Sequence, residues 1–474
     1  MDLDAIPFAS AREIATAVGA GQVSAREVLE ASLERIAATD EQLRAFRHLD
    51  ADGARATAAA LDEAQAGGAS PGPLAGVPVA VKEQVAVAGL PREAGSLLLQ
   101  GNIEASDGPA VARLRAAGAV IVGMTAMPEF GHLAFGHSPL GPATRNPWSA
   151  GHTPGGSSSG SAAALAAGQV ALALGTDGGG SIRIPAACCG VVGHKPTLGR
   201  VPHAPLRHGF APMSHLGPMA RSVADTALML DVIAAQDHAD PASLPPEGVS
   251  YAEIGSHPPT SGRIAWAPQL GQAQADSEVL EPCRAAVAAL ADDGFEVTEV
   301  DPFLDDWIES WATLFDVSLG LNVGDRLDEM RQVSDATLVA RVEHGHRVSA
   351  TEYLAAEADR RDVWATFERL YRDFDVVMTP ALLQPPLPVD PVTGVTDAPD
   401  SWVERWFQHM YPFNMTGQPA VSIPAGLTAD ELPVALQVVG PRLADGVTLG
   451  FAAAAEQRTG WDAAQPSIQA ARGQ

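Results

Sequence analysis

Serine, glycine and lysine are placed in this chain so that they could carry out acyl transfer. Residues 151–200 read GHTPGGSSSGSAAALAAG and then QVALALGTDGGGSIRIPAACCGVVGHKPTLGR. Ser157, Ser158 and Ser159 follow the pair Gly155-Gly156, and Ser181 follows Gly178-Gly179-Gly180. Glycine-rich turns let backbone N–H groups converge on a ligand, so serines at such turns are candidate nucleophiles or anion donors. A serine hydroxyl also needs a base. Only two of the 30 basic residues are lysines, Lys82 and Lys195, and Lys82 ends the apolar run Val77-Pro78-Val79-Ala80-Val81. Burial disfavours the ammonium form, and a neutral lysine can accept a hydroxyl proton. A lysine whose stem packs while its head reaches water fits these residues equally well.

Other chemistries fit less well. A phosphate loop needs a lysine after the glycine cluster, and neither cluster has one there. Gly156-Ser157-Ser158-Ser159-Gly160 satisfies G-x-S-x-G and would make Ser158 the nucleophile. That elbow must follow a strand, and His152-Thr153-Pro154-Gly155 does not read as one. The S-x-x-K motif is excluded, because Val79 and Val192 stand three residues before the two lysines. No H-E-x-x-H or C-x-x-C occurs, so neither a metal nor a cofactor is expected. His132, His137, His152 and His194 show no ligand spacing, although His132 and His137 could line a substrate cleft.

The elements that must position these groups alternate in type. Ser24 opens a helix over Ala25–Ile36, and a second covers Ala54–Ala66 before Gly67-Gly68. Val77–Val81 reads as a buried strand. Asp107–Ala117 reads as a helix ended by Gly118, with Ala119–Gly123 a strand. The same order returns in Ala285–Asp293, Gly294 and Phe295–Val300. Strands resume at Ala420–Pro424 and Val434–Val439, and Leu443–Gln457 reads as a helix. Two proline-rich stretches, Asp240–Gly262 and Pro380–Asp400, read as loops. The alternation predicts an α/β layered fold with a largely buried sheet. With no repeat and no convincing linker, 1–474 reads as a single domain: a helical N-terminal segment over 1–68, a core over 70–235 and a remainder over 236–474.

Composition bounds the partners. A formal charge of −27 repels phosphate backbones, so no nucleic acid is expected, and it serves solubility. The apolar stretch Ala162–Leu174 is too short to span a bilayer, so no membrane contact is expected. Three cysteines, Cys188, Cys189 and Cys283, make no disulfide framework and point to a reducing compartment. Cys188 and Cys189 read as small buried hydrophobes. With no basic, apolar leader at the start, a soluble cytoplasmic protein is the expectation.

GVPVAVKEQV, TPGGSSSGSAAALAAG and GTDGGGSIRIPAACCGVVGHKPTLGRV together resemble the amidase signature family. GPMARSVADTALMLDVIA, DVVMTPALLQPPLP, FNMTGQPAVSIPAG and LPVALQVVGPR extend the likeness from about residue 70 to the end. The resemblance implies a mixed β-sheet covered by helices on both faces and a Ser-Ser-Lys triad that hydrolyses amides through an acyl-serine. Esters and carbamates (urethanes) are also substrates in the family. It implies Ser181 as nucleophile, Ser157 as the bridging serine on a cis peptide bond, and Lys82 as the base. Backbone N–H groups of Gly178, Gly179, Gly180 and Ser181 are the oxyanion candidates. Asp177 and Arg183 are mainly structural in the family. Ser158 either hydrogen-bonds the triad or caps the helix after it. Met127, Phe130 and Phe135 lie on a segment expected to wall the acyl pocket.

Glu83-Gln84 departs from the family's usual Asp-Asn, Gly178 from a larger residue (often threonine) and His194 from a leucine. These departures bear on subfamily and substrate shape. A free-standing amidase acting on a small-molecule amide is the leading expectation. The alternative is the glutaminase-type component of a glutamine-dependent tRNA amidotransferase, its A subunit, against which the acidic charge argues weakly. A catalytically dead binding protein is disfavoured by the intact Lys82–Ser157–Ser181 set. Homodimers are frequent in the family, but nothing in the sequence marks an interface.

Overall fold

A computed structural model of the chain describes residues 2–204, 213–461 and 465–468. Eleven strands form one sheet: β1 (Phe46–Leu49), β2 (Pro78–Lys82), β3 (Val120–Thr125), β4 (Leu172–Asp177), β5 (Val192–Lys195), β6 (His215–Ala220), β7 (Arg263–Trp266), β8 (Glu296–Glu299), β9 (Val376–Pro380), β10 (Ala420–Leu427) and β11 (Pro433–Val439). Their order is β1-β3-β2-β4-β6-β5-β10-β11-β9-β7-β8. The sheet is mixed. β2 runs parallel to both β3 and β4, whereas β6 is antiparallel to β4 and β5.

Parallel strands buried on both faces need continuous apolar runs. Every residue of β2, β3 and β4 is buried. Each fully buried valine or leucine there contributes about 1.5–3 kcal/mol. Because β2 and β4 run in the same direction, Lys82 and Asp177 emerge at the same edge of the sheet. Ligands of open α/β sheets bind outside the carboxyl ends of the strands, which is where these residues lie.

Most predicted elements appear with shifted ends. The first predicted helix runs Ala25–Leu43 from a capping box in which the Ser24 hydroxyl and Glu27 satisfy each other's backbone N–H. The next starts at Ala51, capped by Asp50, rather than at Ala54. The helix expected from Ala285 begins eight residues earlier and spans Ser277–Asp292, carrying Pro282 inside it. Val279, Cys283, Ala286, Val287 and Leu290 give it one continuous buried face. The stretch read as a loop over 240–262 contains a short helix, Tyr251–Ser256, capped by the Ser250 side chain on the Glu253 N–H. Four helices unread in the sequence, Ile308–Val323, Leu327–Val333, Ala336–Arg347 and Ala350–Leu370, fill most of 301–375. Among the described residues no helix is long and apolar enough to cross a membrane.

Candidate active site

Lys82 closes β2 with no solvent exposure. Its Nζ lies 2.7 Å from Ser157 Oγ and 2.7 Å from Thr176 Oγ1. The Thr176 hydroxyl donates to Gln84 Oε1 at 3.0 Å, so it meets Lys82 as an acceptor. That leaves the lone pair of a neutral Nζ free to face Ser157. Burial pushes the Lys82 ammonium down to about 7, against the nearby charges of Asp177 and Glu83. Burial likewise pushes Glu83 up to about 7, opposed by the Arg47 guanidinium.

Ser157 follows a cis Gly156–Ser157 peptide and is 2 % exposed. Gly131, at φ +72°, passes so close that a Cβ there would sit 3.0 Å from Ser157 Oγ. The positive φ and this close approach both favour glycine there. Ser158 stands at the N-cap position of the helix Ser159–Ala166, but its side chain makes no cap bond. It makes no hydrogen bond to Lys82 or to the Ser181 hydroxyl. Its Oγ instead pairs with the backbone N–H and C=O of Thr176, both at 3.3 Å. Its N–H donates to the Ser181 carbonyl at 3.0 Å. Ser158 thus pins the two serine-bearing loops together.

Ser181 is half-buried at the turn between β4 and the helix Arg183–Cys189. Asp177 shapes this turn. Its carboxylate accepts from the N–H groups of Gly180 (2.7 Å) and Ile182 (3.2 Å). The Gly180 N–H is therefore already taken, which corrects its expected place in the oxyanion hole. Among the described residues none accepts from the N–H groups of Gly178, Gly179 or Ser181. Gly179 is glycine because a Cβ would lie 2.4 Å from Trp311 Cζ2.

Arg183 pairs with Asp177 at 2.9 and 3.0 Å, and neither side chain is exposed. Burial alone would raise Asp177, but the Arg183 guanidinium, Lys195 and the Asn414 amide together outweigh it and hold the carboxyl well below the usual carboxylate range. Arg183 also donates to Gln437, Asn414 and the Met410 carbonyl. Its donors are occupied by the protein, which fits a supporting role.

Ser181 opens onto two cavities. A small one of about 100 Å³ holds Ser157, Thr176, Gln84, Gly178 and Phe130. A larger one of about 520 Å³ holds Gly179, Phe135, Trp311, Phe407, His132 and His137. Phe130 and Phe135 therefore face different cavities. Met127, 1 % exposed, lines neither and packs in the core. His194 lies on β5, 3.4 Å from Asp445 and outside both cavities. Cys188 and Cys189 are buried free thiols.

Thr176 and the wall residues Trp311, Phe315, Leu319 and Tyr353 were missed by sequence reasoning. Thr176 stands inside the GTDGGGS motif, which was its only signal. The walls come from helices distant in sequence, one of which announces itself by the Ser349/Glu352 capping box.

Among the described residues one group has donors and spacing suited to a cation. Ligand atoms of His48, Glu83 and Glu93 lie within 4.8 Å of one another. His48 Nε2 and Glu93 Oε2 already lie 2.7 Å apart, and Arg47 provides a countercharge toward Glu83. The group borders neither cavity.

Comparison with known proteins gives the family. The amidase family model matches residues 27–449. An acylamidase of Rhodococcus erythropolis is 36% identical, over 97% of this chain and 97% of its own. The A subunit of the glutamyl-tRNA(Gln) amidotransferase of Salinispora arenicola is 38% identical, over 95% of this chain and 97% of its own. The solved structure of a bacterial aryl acylamidase of the amidase signature family superposes with a TM-score of 0.87 at 28% identity, covering 96% of this chain and 97% of that one. The chain belongs to the amidase signature family and is an amidohydrolase with its α/β fold.

Proposed function

We propose that this chain is a free-standing amidase that cleaves a carboxylic amide C–N bond through an acyl-enzyme on Ser181. Ser181 Oγ attacks the carbonyl carbon and loses its proton to Ser157, whose own proton passes to neutral Lys82. The N–H groups of Gly178, Gly179 and Ser181 receive the oxyanion. As the C–N bond breaks, the proton returns from Lys82 through Ser157 to the departing nitrogen. Water then attacks the acyl group by the same relay in reverse. Esters and carbamates share the acyl-serine intermediate and are secondary substrates.

The observation that carries this reading is the contact between Lys82 and Ser157. A fully buried lysine, pushed down to about 7, faces a serine that shares a cavity with Ser181. No hydrogen bond joins the Ser157 and Ser181 hydroxyls among the described residues. Catalytic contacts of this kind commonly tighten only once substrate is bound.

The similarity to the A subunit of an amidotransferase supports a second reading, in which the chain releases ammonia from glutamine beside partner proteins. The purified chain separates the two. The free amidase hydrolyses simple amides without ATP, metal or partner. Activity restricted to glutamine and seen only after the partner proteins are added would favour the amidotransferase.

A further inference from the structure

The two cavities share Ser181, Gly131 and Phe315 and differ in nearly everything else. We infer that they divide the substrate at its scissile bond, with the amine side in the small cavity and the acyl side in the large one. The preferred substrates are then primary or short N-alkyl amides of bulky, apolar, especially aromatic, carboxylic acids. This inference rests on the acyl-Ser181 reading above.

Proton traffic sets the direction. A departing amine must be protonated as it leaves, and the proton comes from Ser157. Ser157, with Thr176 and Gln84 behind it, lines the small cavity and not the large one. The leaving nitrogen must therefore point into the small cavity. The acyl group lies across the carbonyl carbon, on the side lined by Gly179. Once the amine has left, water takes its place in the small cavity, again within reach of Ser157, while the acyl chain stays where it was.

Size and lining agree with this polarity. The small cavity, about 100 Å³, is also lined by Leu314, Leu319 and Tyr353. The large cavity is about five times as roomy, at about 520 Å³. Trp311 forms its aromatic wall, stacked on Phe315 with centroids 5.1 Å apart and edge-on to Phe407 at 5.9 Å. Such surfaces favour flat apolar groups. Gly178 tunes the small cavity. A Cβ built there meets only Phe315 Cε2, at 3.6 Å, an ordinary contact. A side chain is thus sterically allowed at 178 and would occupy space otherwise open to the amine.

Two substrate series test the division. In the first the amine is ammonia and the acyl group grows from acetyl to 3-phenylpropanoyl. In the second the acyl group is acetyl and the amine grows from ammonia to 2-phenylethylamine. Wild-type kcat/KM is expected to rise at least tenfold along the first series and fall at least tenfold along the second. Gly178→Ala should steepen the fall in the second series, whereas any loss through its oxyanion N–H should lower every member of the first by the same factor and leave that slope unchanged. Ala340→Trp, at an exposed position lining the large cavity, should flatten the rise in the first and leave the slope of the second unchanged. The opposite order of preference, with Gly178→Ala acting on the acyl series, overturns the division but leaves the amidase reading intact. Failure to hydrolyse either series overturns both.

Discussion

Lys82 Nζ stands 2.7 Å from Ser157 Oγ, and the lysine has no solvent exposure. Surface lysines carry their charge in water. This one sits where the charge is costly, beside a hydroxyl that has a proton to give.

Removal of that amine should cripple amide hydrolysis. Lys82→Ala is expected to lower amide kcat/KM by about three orders of magnitude or more. Lys82→Arg should fail similarly, because a guanidinium stays charged and cannot accept a proton. Esters should suffer less, since an alkoxide leaves without the protonation an amine needs. The measurement is the ratio of ester to amide kcat/KM, which should rise in Lys82→Ala. An unchanged ratio would make Lys82 structural.

The pH profile follows from the same burial. The proposed reaction needs neutral Lys82, whose ammonium is pushed down to about 7. Activity should therefore rise through about pH 7 on the acidic limb and fall away below it. Glu83 favours the charged lysine, so Glu83→Gln should move the midpoint to lower pH, by less than about one unit. A midpoint that moved upward would contradict this electrostatic account.

The Thr176 hydroxyl accepts from the Lys82 amine and donates its own O–H to Gln84 Oε1. Thr176→Val keeps the shape and removes the acceptor. It should cost about 10- to 100-fold in kcat, corresponding to about 1.5–3 kcal/mol for a hydrogen bond from a charged or strongly polar donor. Single-turnover rates measure this, and circular dichroism confirms the fold. An undiminished rate would remove Thr176 from the relay.

Arg183 and Asp177 form a buried pair, and breaking one partner leaves the other charged and desolvated. Arg183→Ala should destabilise the chain by about 3–5 kcal/mol, read as a lower urea midpoint. A midpoint unchanged from wild type would mean that the turn does not depend on the pair.

The residues of the proposed relay were legible in the sequence because they sit in short contiguous motifs. Lys82 ends an apolar run, and Ser157 and Ser181 follow glycines. The buried strands were legible for the same reason, as in Val77–Val81 and Val434–Val439. Three-dimensional allocation was not legible. Gly180 looks like any other glycine of its turn, yet Asp177 takes its N–H because the carboxylate folds back onto it. Met127 and Phe130 are three residues apart, but one packs in the core and the other faces the small cavity. The walls depended on Trp311 and Tyr353 arriving from helices more than a hundred residues away, and no local pattern encodes that docking. Pro282 obscured the first turns of its helix, and the prolines of 240–262 masked the helix Tyr251–Ser256.

The central claim is that Ser181 carries the acyl group, and active-site labelling tests it most directly. The purified protein is treated with a fluorophosphonate and analysed by intact mass and peptide mapping, alongside Ser181→Ala and Ser158→Ala. The account predicts one adduct per chain on Ser181, no adduct on the Ser181→Ala protein, and labelling retained at Ser181 in Ser158→Ala. Turnover of Ser181→Ala should drop by about four orders of magnitude or more. An adduct on Ser158 or Ser157 in the wild type, or amide hydrolysis surviving in Ser181→Ala, would contradict it.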